Sequence, residues 1–144
     1  MTGQRPPRVE LPYTAERATR ALPLVRRIVD DLVVCYAAWQ DAVVRFEYAA
    51  SRSRADAPDP EADALQRAAQ ELAQQIEGFV GELGELGVEC RAFDSGLVDF
   101  PGELDGRAVY FCWMKGEPTV AYWHALDTGF GGRQPIQGPE FARK

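Results

Sequence analysis

Cys112, Glu117 and His124 are residue types that bind transition metals, and they stand close together in the C-terminal third of the chain. Whether they can meet depends on the strands that carry them. Arg107–Met114 is rich in β-forming residues, Lys115-Gly116 reads as a hairpin turn, and Pro118–Ala125 reads as the return strand. That turn pairs Met114 with Glu117, Cys112 with Thr119, Val109 with Tyr122 and Arg107 with His124. Glu117 then lies at the hairpin tip and His124 at its far end, about 23 Å away. Cys112 and His124 fall on opposite faces. No intrachain metal site is expected from this set, and Cys112 reads as a small buried thiol.

The far end of the hairpin gathers more polar chemistry. His124, the single histidine, is expected opposite Arg107, and Asp127 and Arg133 follow in the segment Asp127-Thr128-Gly129-Phe130-Gly131-Gly132-Arg133. A glycine-rich backbone with a guanidinium beside it can present donors to a carboxylate or phosphate. Asp127 is expected to orient His124 or Arg133, and Asp99 to reach in from the preceding loop. The candidate ligand site is therefore His124, Arg107, Asp127, Arg133 and Asp99. The structural alternative is a turn whose glycines supply positive φ, with His124 hydrogen-bonded to Asp127. The segment is neither a Walker nor a dinucleotide fingerprint, so no cofactor is assigned.

Other groups carry less. Asp94 and Asp99 can work as a carboxylate pair, but both read as loop and turn caps in the turn-rich stretch from Asp94 to Gly106. Ser95 has no nucleophile elbow around it. Tyr110, Trp113, Tyr122 and Trp123 can line a pocket, and equally can form sheet core.

The elements that must position these residues come from periodicity. Val25, Val29, Leu32, Tyr36, Trp39, Val43, Phe46 and Ala50 alternate spacings of four and three, as do Leu65, Ala69, Leu72, Ile76, Phe79, Leu83 and Leu86. Thr14 is an N-cap, Pro23 is expected to interrupt or kink the first helix, and Asp59-Pro60-Glu61 starts the second. Gly87 stops it. Leu24–Ala50 and Pro60–Leu86 predict two helices of about 40 Å, folded back as a coiled-coil-like hairpin. One register makes every rung apolar: Phe46 with Leu65, Val43 with Ala69, Trp39 with Leu72, Tyr36 with Ile76, Leu32 with Phe79, Val29 with Leu83 and Val25 with Leu86. After Gly87 the pattern turns to strands, with Val88–Phe93 the first. The fold class is α+β: a long antiparallel helical hairpin, then a small three-stranded antiparallel sheet. The 144 residues fit one domain, with 13–87 as hairpin, 88–136 as sheet and glycine loop, and residues 1–12 and 137–144 as loose tails.

Composition bounds the function. The net charge of −6 and the absence of a basic stripe argue against nucleic acid as a partner. The apolar run Leu32–Trp39 is far too short for a membrane span, and no signal peptide is visible, so a cytoplasmic protein with no membrane partner is expected. Three unpaired cysteines without a CxxC fit reduced thiols. Leu32–Trp39 is apolar on nearly every side, more than one partner helix can cover, and a homodimer is expected to cover the rest.

Gly96-Leu97-Val98-Asp99-Phe100-Pro101, Cys112-Trp113, Gly116-Glu117, Tyr122-Trp123-His124, Gly129-Phe130 and Gly132-Arg133 form a pattern, opened by Tyr13-Thr14-Ala15-Glu16 and Ala21-Leu22-Pro23. Together, over residues 13 to about 136, they resemble an uncharacterised bacterial family catalogued as domain of unknown function 2203. Arg17 departs from that pattern, standing where an acid would complete a capping box with Thr14. The resemblance implies a bacterial source and no activity. Three function classes follow, in order: a domain binding a small anion or carboxylate, an assembly module acting through the helical hairpin, and an enzyme using His124 as acid or base.

Overall fold

The computed structural model describes residues 13–136. Two helices precede an antiparallel sheet. Helix α1 runs Ala15–Arg52 and α2 runs Pro60–Glu85. Strands β1 (Glu89–Ala92), β2 (Leu97–Leu104), β3 (Arg107–Met114), β4 (Tyr122–His124) and β5 (Gln134–Pro135) pair in chain order. The α+β class stands, with five strands rather than three. The expected tails at 1–12 and 137–144 lie outside the described residues.

The helix signals work as local chemistry requires. Thr14 Oγ1 accepts from the Arg17 N–H at 3.1 Å, so the threonine half of the capping box forms without an acid at position 17. Asp59 Oδ1 accepts from the Glu61 N–H, with Pro60 in the first turn. Gly87, at φ 77°, leaves the helix in the left-handed region. Pro23 does not divide α1, which is helical throughout from Ala15 to Arg52. The two helices are consequently unequal, 38 and 26 residues. The additional N-terminal turns of α1 bury Ala18 and Leu22 in the same core as the sheet.

The hairpin register holds to within a turn: Cys35 Sγ lies 3.7 Å from the Leu72 carbonyl, and Trp39 shares a surface groove with Ala73 and Ile76. What differs is which residues are deepest. Toward the helical tip, Cys35, Ala42, Ala49 and Ala62 are buried while Tyr36, Trp39, Val43 and Phe46 are only half-buried. Small side chains take the inner positions there, and the large ones flank them. No described helix is long and apolar enough to cross a membrane.

The sheet departs further from expectation. Leu97–Leu104 is a full strand rather than turn, despite Pro101 and Gly102. Pro101 has no N–H to offer, and its carbonyl accepts from Tyr13. Gly102 is required because a Cβ there would lie 2.5 Å from the Phe111 ring and from the Tyr13 carbonyl. The turn into β3 is Asp105-Gly106, both with positive φ (53° and 79°), the type I′ geometry that suits a two-residue hairpin.

The Lys115-Gly116 turn forms as expected, with the Glu117 N–H donating to Met114 at 2.9 Å. The chain then leaves the ladder and rejoins only at Tyr122–His124. His124 consequently faces Tyr110, not Arg107, and Cys112 faces Tyr122, not Thr119. The difference between partners 107 and 110 is three residues, an odd number, so every side chain of the return strand changes face relative to β3. Val98, Phe100, Val109, Phe111, Trp113 and Trp123 pack with the helices in one core. Alternation places Asp99, Tyr110, Cys112, Tyr122 and His124 on the other face.

Candidate functional site

The sheet face turned away from the helices is where the polar side chains concentrate. Asp99 and His124, each 3 % exposed, are the buried polar or charged residues of the described chain, and Cys112 between their strands is fully buried. Three successive strands supply them: β2, β3 and β4. His124 Nε2 lies 3.0 Å from Asp99 Oδ1, and Nδ1 lies 2.8 Å from the Ala125 carbonyl. Asp99 Oδ2 accepts from Arg91 Nε at 2.9 Å, and the Arg91 Nη2 reaches Glu89 at 2.9 Å. The hydrogen bond to Asp99 raises the Arg91 pKa above its ordinary value, so the guanidinium stays charged.

Cys112 belongs to this cluster. Asp99 and Cys112 are register partners on β2 and β3. One ligand atom from each of Asp99, Cys112 and His124 lies within 4.8 Å of the other two. Burial pushes the Cys112 thiol up to about 12, with the Arg133 charge opposing and Asp99 and Glu117 reinforcing the shift. The expectation that Cys112 and His124 point apart is overturned, because it rested on the wrong register. Glu117 is held by Arg133 and is not a member of this set.

A concavity of about 510 Å³ opens beside this cluster. Arg91, Asp99, Tyr110 and His124 line one side, and Leu126–Phe130 lines the other. The Arg91 guanidinium carbon sits 5.1 Å from the Tyr110 ring centre. The glycine segment thus forms a wall of the pocket, with Gly129 at φ 70° turning the backbone.

Of the five residues expected at the site, the structure brings three together: His124, Asp99 and Asp127 line this pocket. Asp99 does so from within β2, not from a loop, and it occupies the role expected of Asp127, binding the His124 ring. Asp127 is exposed on the pocket wall. Arg107 does not converge on His124. It stacks over Trp123, on the helix-facing side of the sheet, 5.2 Å from the ring centre. Arg133 is engaged elsewhere: its Nη1 and Nη2 bind Glu117 at 2.8 and 2.9 Å, and Nη2 also reaches the Cys112 carbonyl. Tyr122 and Phe130 flank its guanidinium at 4.0 and 4.8 Å. Lys115, at the hairpin tip, pairs with Asp30 of α1 at 2.8 Å. Asp94 is the turn cap expected of it, accepting from the Ser95 N–H.

Arg91 is the site residue that sequence reasoning missed. Its signal was the alternation Glu89-Cys90-Arg91 in the first strand, which puts two charged residues on one face.

No curated protein and no solved structure matches this chain. A family model described as "Uncharacterized conserved protein (DUF2203)" matches residues 12–136, which takes in both helices, all five strands and every residue of the pocket, and the chain belongs to that family.

Proposed function

We propose that this chain binds a small polar molecule, a carboxylate or a phosphate ester, in the pocket between Arg91, His124 and the Leu126–Phe130 segment. The observation that carries this reading is an Asp99–His124 pair buried at the floor of an open concavity and hydrogen-bonded to the exposed guanidinium of Arg91. Charged groups are seldom buried without a partner or a task. Arg91 supplies the cation expected of Arg107 and Arg133. Among the described residues, no acceptor is bonded to its Nη1, while Nε and Nη2 are held by Asp99 and Glu89. Tyr110, Leu126 and Phe130 offer apolar surface to the rest of such a ligand.

A thermal-shift screen of small carboxylates and phosphate esters tests this reading. A hit should raise the melting temperature of the wild-type chain. Leu126→Trp, which fills the pocket from its exposed rim, should cancel that rise, as should Arg91→Ala. A screen without a hit, or a hit indifferent to both substitutions, rejects the pocket as a ligand site.

A second reading, assembly through the helical hairpin, is favoured by Val34, Val44 and Tyr48, which are 70 %, 64 % and 65 % exposed. At helical spacing they share one outward stripe of α1. The homodimer that this stripe would support is tested by light scattering. A dimer at micromolar concentration that Val44→Glu converts to monomer supports it, and a wild-type monomer rejects it.

A further inference from the structure

We infer that Asp99, Cys112 and His124 form a binding site for a divalent transition-metal ion of the zinc type. The inference goes beyond the ligand pocket and stands without it.

The first argument is the ligand set. An imidazole nitrogen, a carboxylate oxygen and a thiol sulfur converge within 4.8 Å of one another. Nitrogen, oxygen and sulfur together suit a borderline-soft ion, and Zn²⁺ bonds of about 2.0–2.3 Å separate ligand atoms by roughly 3.3–3.8 Å. To close on such an ion the His124–Asp99 pair, at 3.0 Å, widens by a few tenths of an ångström and the thiol moves in by about 1.5 Å at most. The charges balance as well. Carboxylate and thiolate supply two negative charges against the two positive charges of the ion. On binding, the Cys112 S–H proton leaves to solvent, as does any proton held on His124 Nε2.

The second argument is independent and comes from hydrogen-bond valence at His124. The Ala125 carbonyl can only accept, so Nδ1 carries a proton and donates it. Nε2 then faces Asp99 Oδ1, which as a carboxylate oxygen also only accepts. Two acceptors facing both ring nitrogens require something positive between Nε2 and Oδ1, either a proton, on the ring or on the carboxyl, or a metal ion. A backbone carbonyl on Nδ1 is also the arrangement that orients a metal-binding imidazole. Arg91 plays the corresponding part for the carboxylate, holding Oδ2 and leaving Oδ1 directed at His124.

The third argument is the geometry of access. Three protein ligands leave a tetrahedral ion one open position. Asp99 and His124 line the pocket, so that position opens toward it.

The register explains why the set is easily overlooked. The three residues stand on consecutive strands, separated in sequence by thirteen and twelve positions, with none of the short spacings typical of zinc motifs.

The test uses the untagged full chain, since an affinity tag of histidines would mask the single native one. After chelator treatment and dialysis, Co²⁺ is titrated and the absorption spectrum followed. We expect one ion per chain and a thiolate-to-cobalt charge-transfer band with tetrahedral visible absorption. Cys112→Ser should lose the charge-transfer band, and His124→Gln and Asp99→Asn should each raise the apparent Kd by about tenfold or more. Cys35→Ser and Cys90→Ser should change neither. Circular dichroism establishes that each variant is folded, and if Cys112→Ser is not, a folded His124→Gln carries the decision. A wild-type chain without the band at saturating Co²⁺ overturns the proposal. So does a band that survives in folded Cys112→Ser or at unchanged affinity in folded His124→Gln, or one abolished by Cys35→Ser. Leu126→Trp separates this result from the ligand reading: it blocks the pocket without touching a metal ligand, so the band should persist there whether or not any organic ligand binds.

Discussion

Arg133 grips Glu117 with two guanidinium nitrogens, at 2.8 and 2.9 Å, while two aromatic rings flank its plane. This pair fastens the glycine segment to the β3–β4 connection, and it is mostly shielded, with side chains 14 % and 20 % exposed. Arg133 is therefore a clamp of the fold. Arg133→Ala should lower stability by about 2–3 kcal/mol, because it strands a half-buried carboxylate and removes a stacked guanidinium. Urea denaturation measures this, and a change under about 0.5 kcal/mol would return Arg133 to the list of free cations.

The same pair sets an acid limit. Burial works to raise the Glu117 pKa, but the Arg133 hydrogen bonds, the Met114 N–H and the guanidinium charge outweigh it and hold the pKa below its ordinary 4.5. A folded-state pKa below the unfolded one means that stability is fully present above the unfolded value. It is then lost as pH falls through the folded value. Wild-type stability should decline below about pH 4.5, and part of that decline should be missing in Glu117→Gln. Equal acid profiles for the two chains would contradict this.

Core depth along the hairpin predicts a gradient. Leu83 is fully buried against the sheet end, whereas Leu72, midway along α2, is only half-buried. Leu83→Ala should cost about 3–5 kcal/mol and Leu72→Ala about 1–2 kcal/mol. Equal costs would mean that the helices pack more tightly toward their tip than the structure has them.

Gly102 is a steric keyhole. Adding one methyl there presses on the Phe111 ring and the Tyr13 carbonyl at 2.5 Å, and neither can retreat without moving the core or the backbone. Gly102→Ala should cost about 2–3 kcal/mol despite the good intrinsic conformation of alanine. Gly78→Ala, in open space on α2, should instead be neutral or stabilising. Chemical denaturation of the two variants checks the contrast.

How much of this was legible in the sequence follows from where periodicity reaches. Both helices announce themselves over many turns, and their caps at Thr14, Asp59 and Gly87 are local chemistry. Their pairing could be read because two long seams constrain each other. The sheet offers no such redundancy. Asp105-Gly106 is a hairpin signal in its own right, obscured by Pro101 and Gly102 just before it. Nothing in Glu117–Ala121 shows that the chain leaves the ladder there, yet that excursion decides the parity of the return strand. The polar cluster was therefore half visible. His124 and Asp99 stand out by type, whereas a register three residues out sets Cys112 apart and brings Arg107 in, and Arg133 enters only as part of the glycine segment. Long-range pairing, not residue chemistry, was the missing quantity.

Tyr13 has a consequence beyond its place in the core. β1 covers only the first part of β2, and Tyr13 occupies the vacated stretch, donating to Pro101 and accepting from Glu103. The outer side of β2 is thereby taken up by β1 at Leu97–Asp99 and by Tyr13 at Pro101 and Glu103. The outer margins of the described sheet are four and two residues long, one of them irregular and flanked by Glu89 and Arg91. Short, charged, broken margins make poor templates for strand addition. These two margins are thus guarded against edge-to-edge polymerisation, a hazard to which small antiparallel sheets are otherwise open.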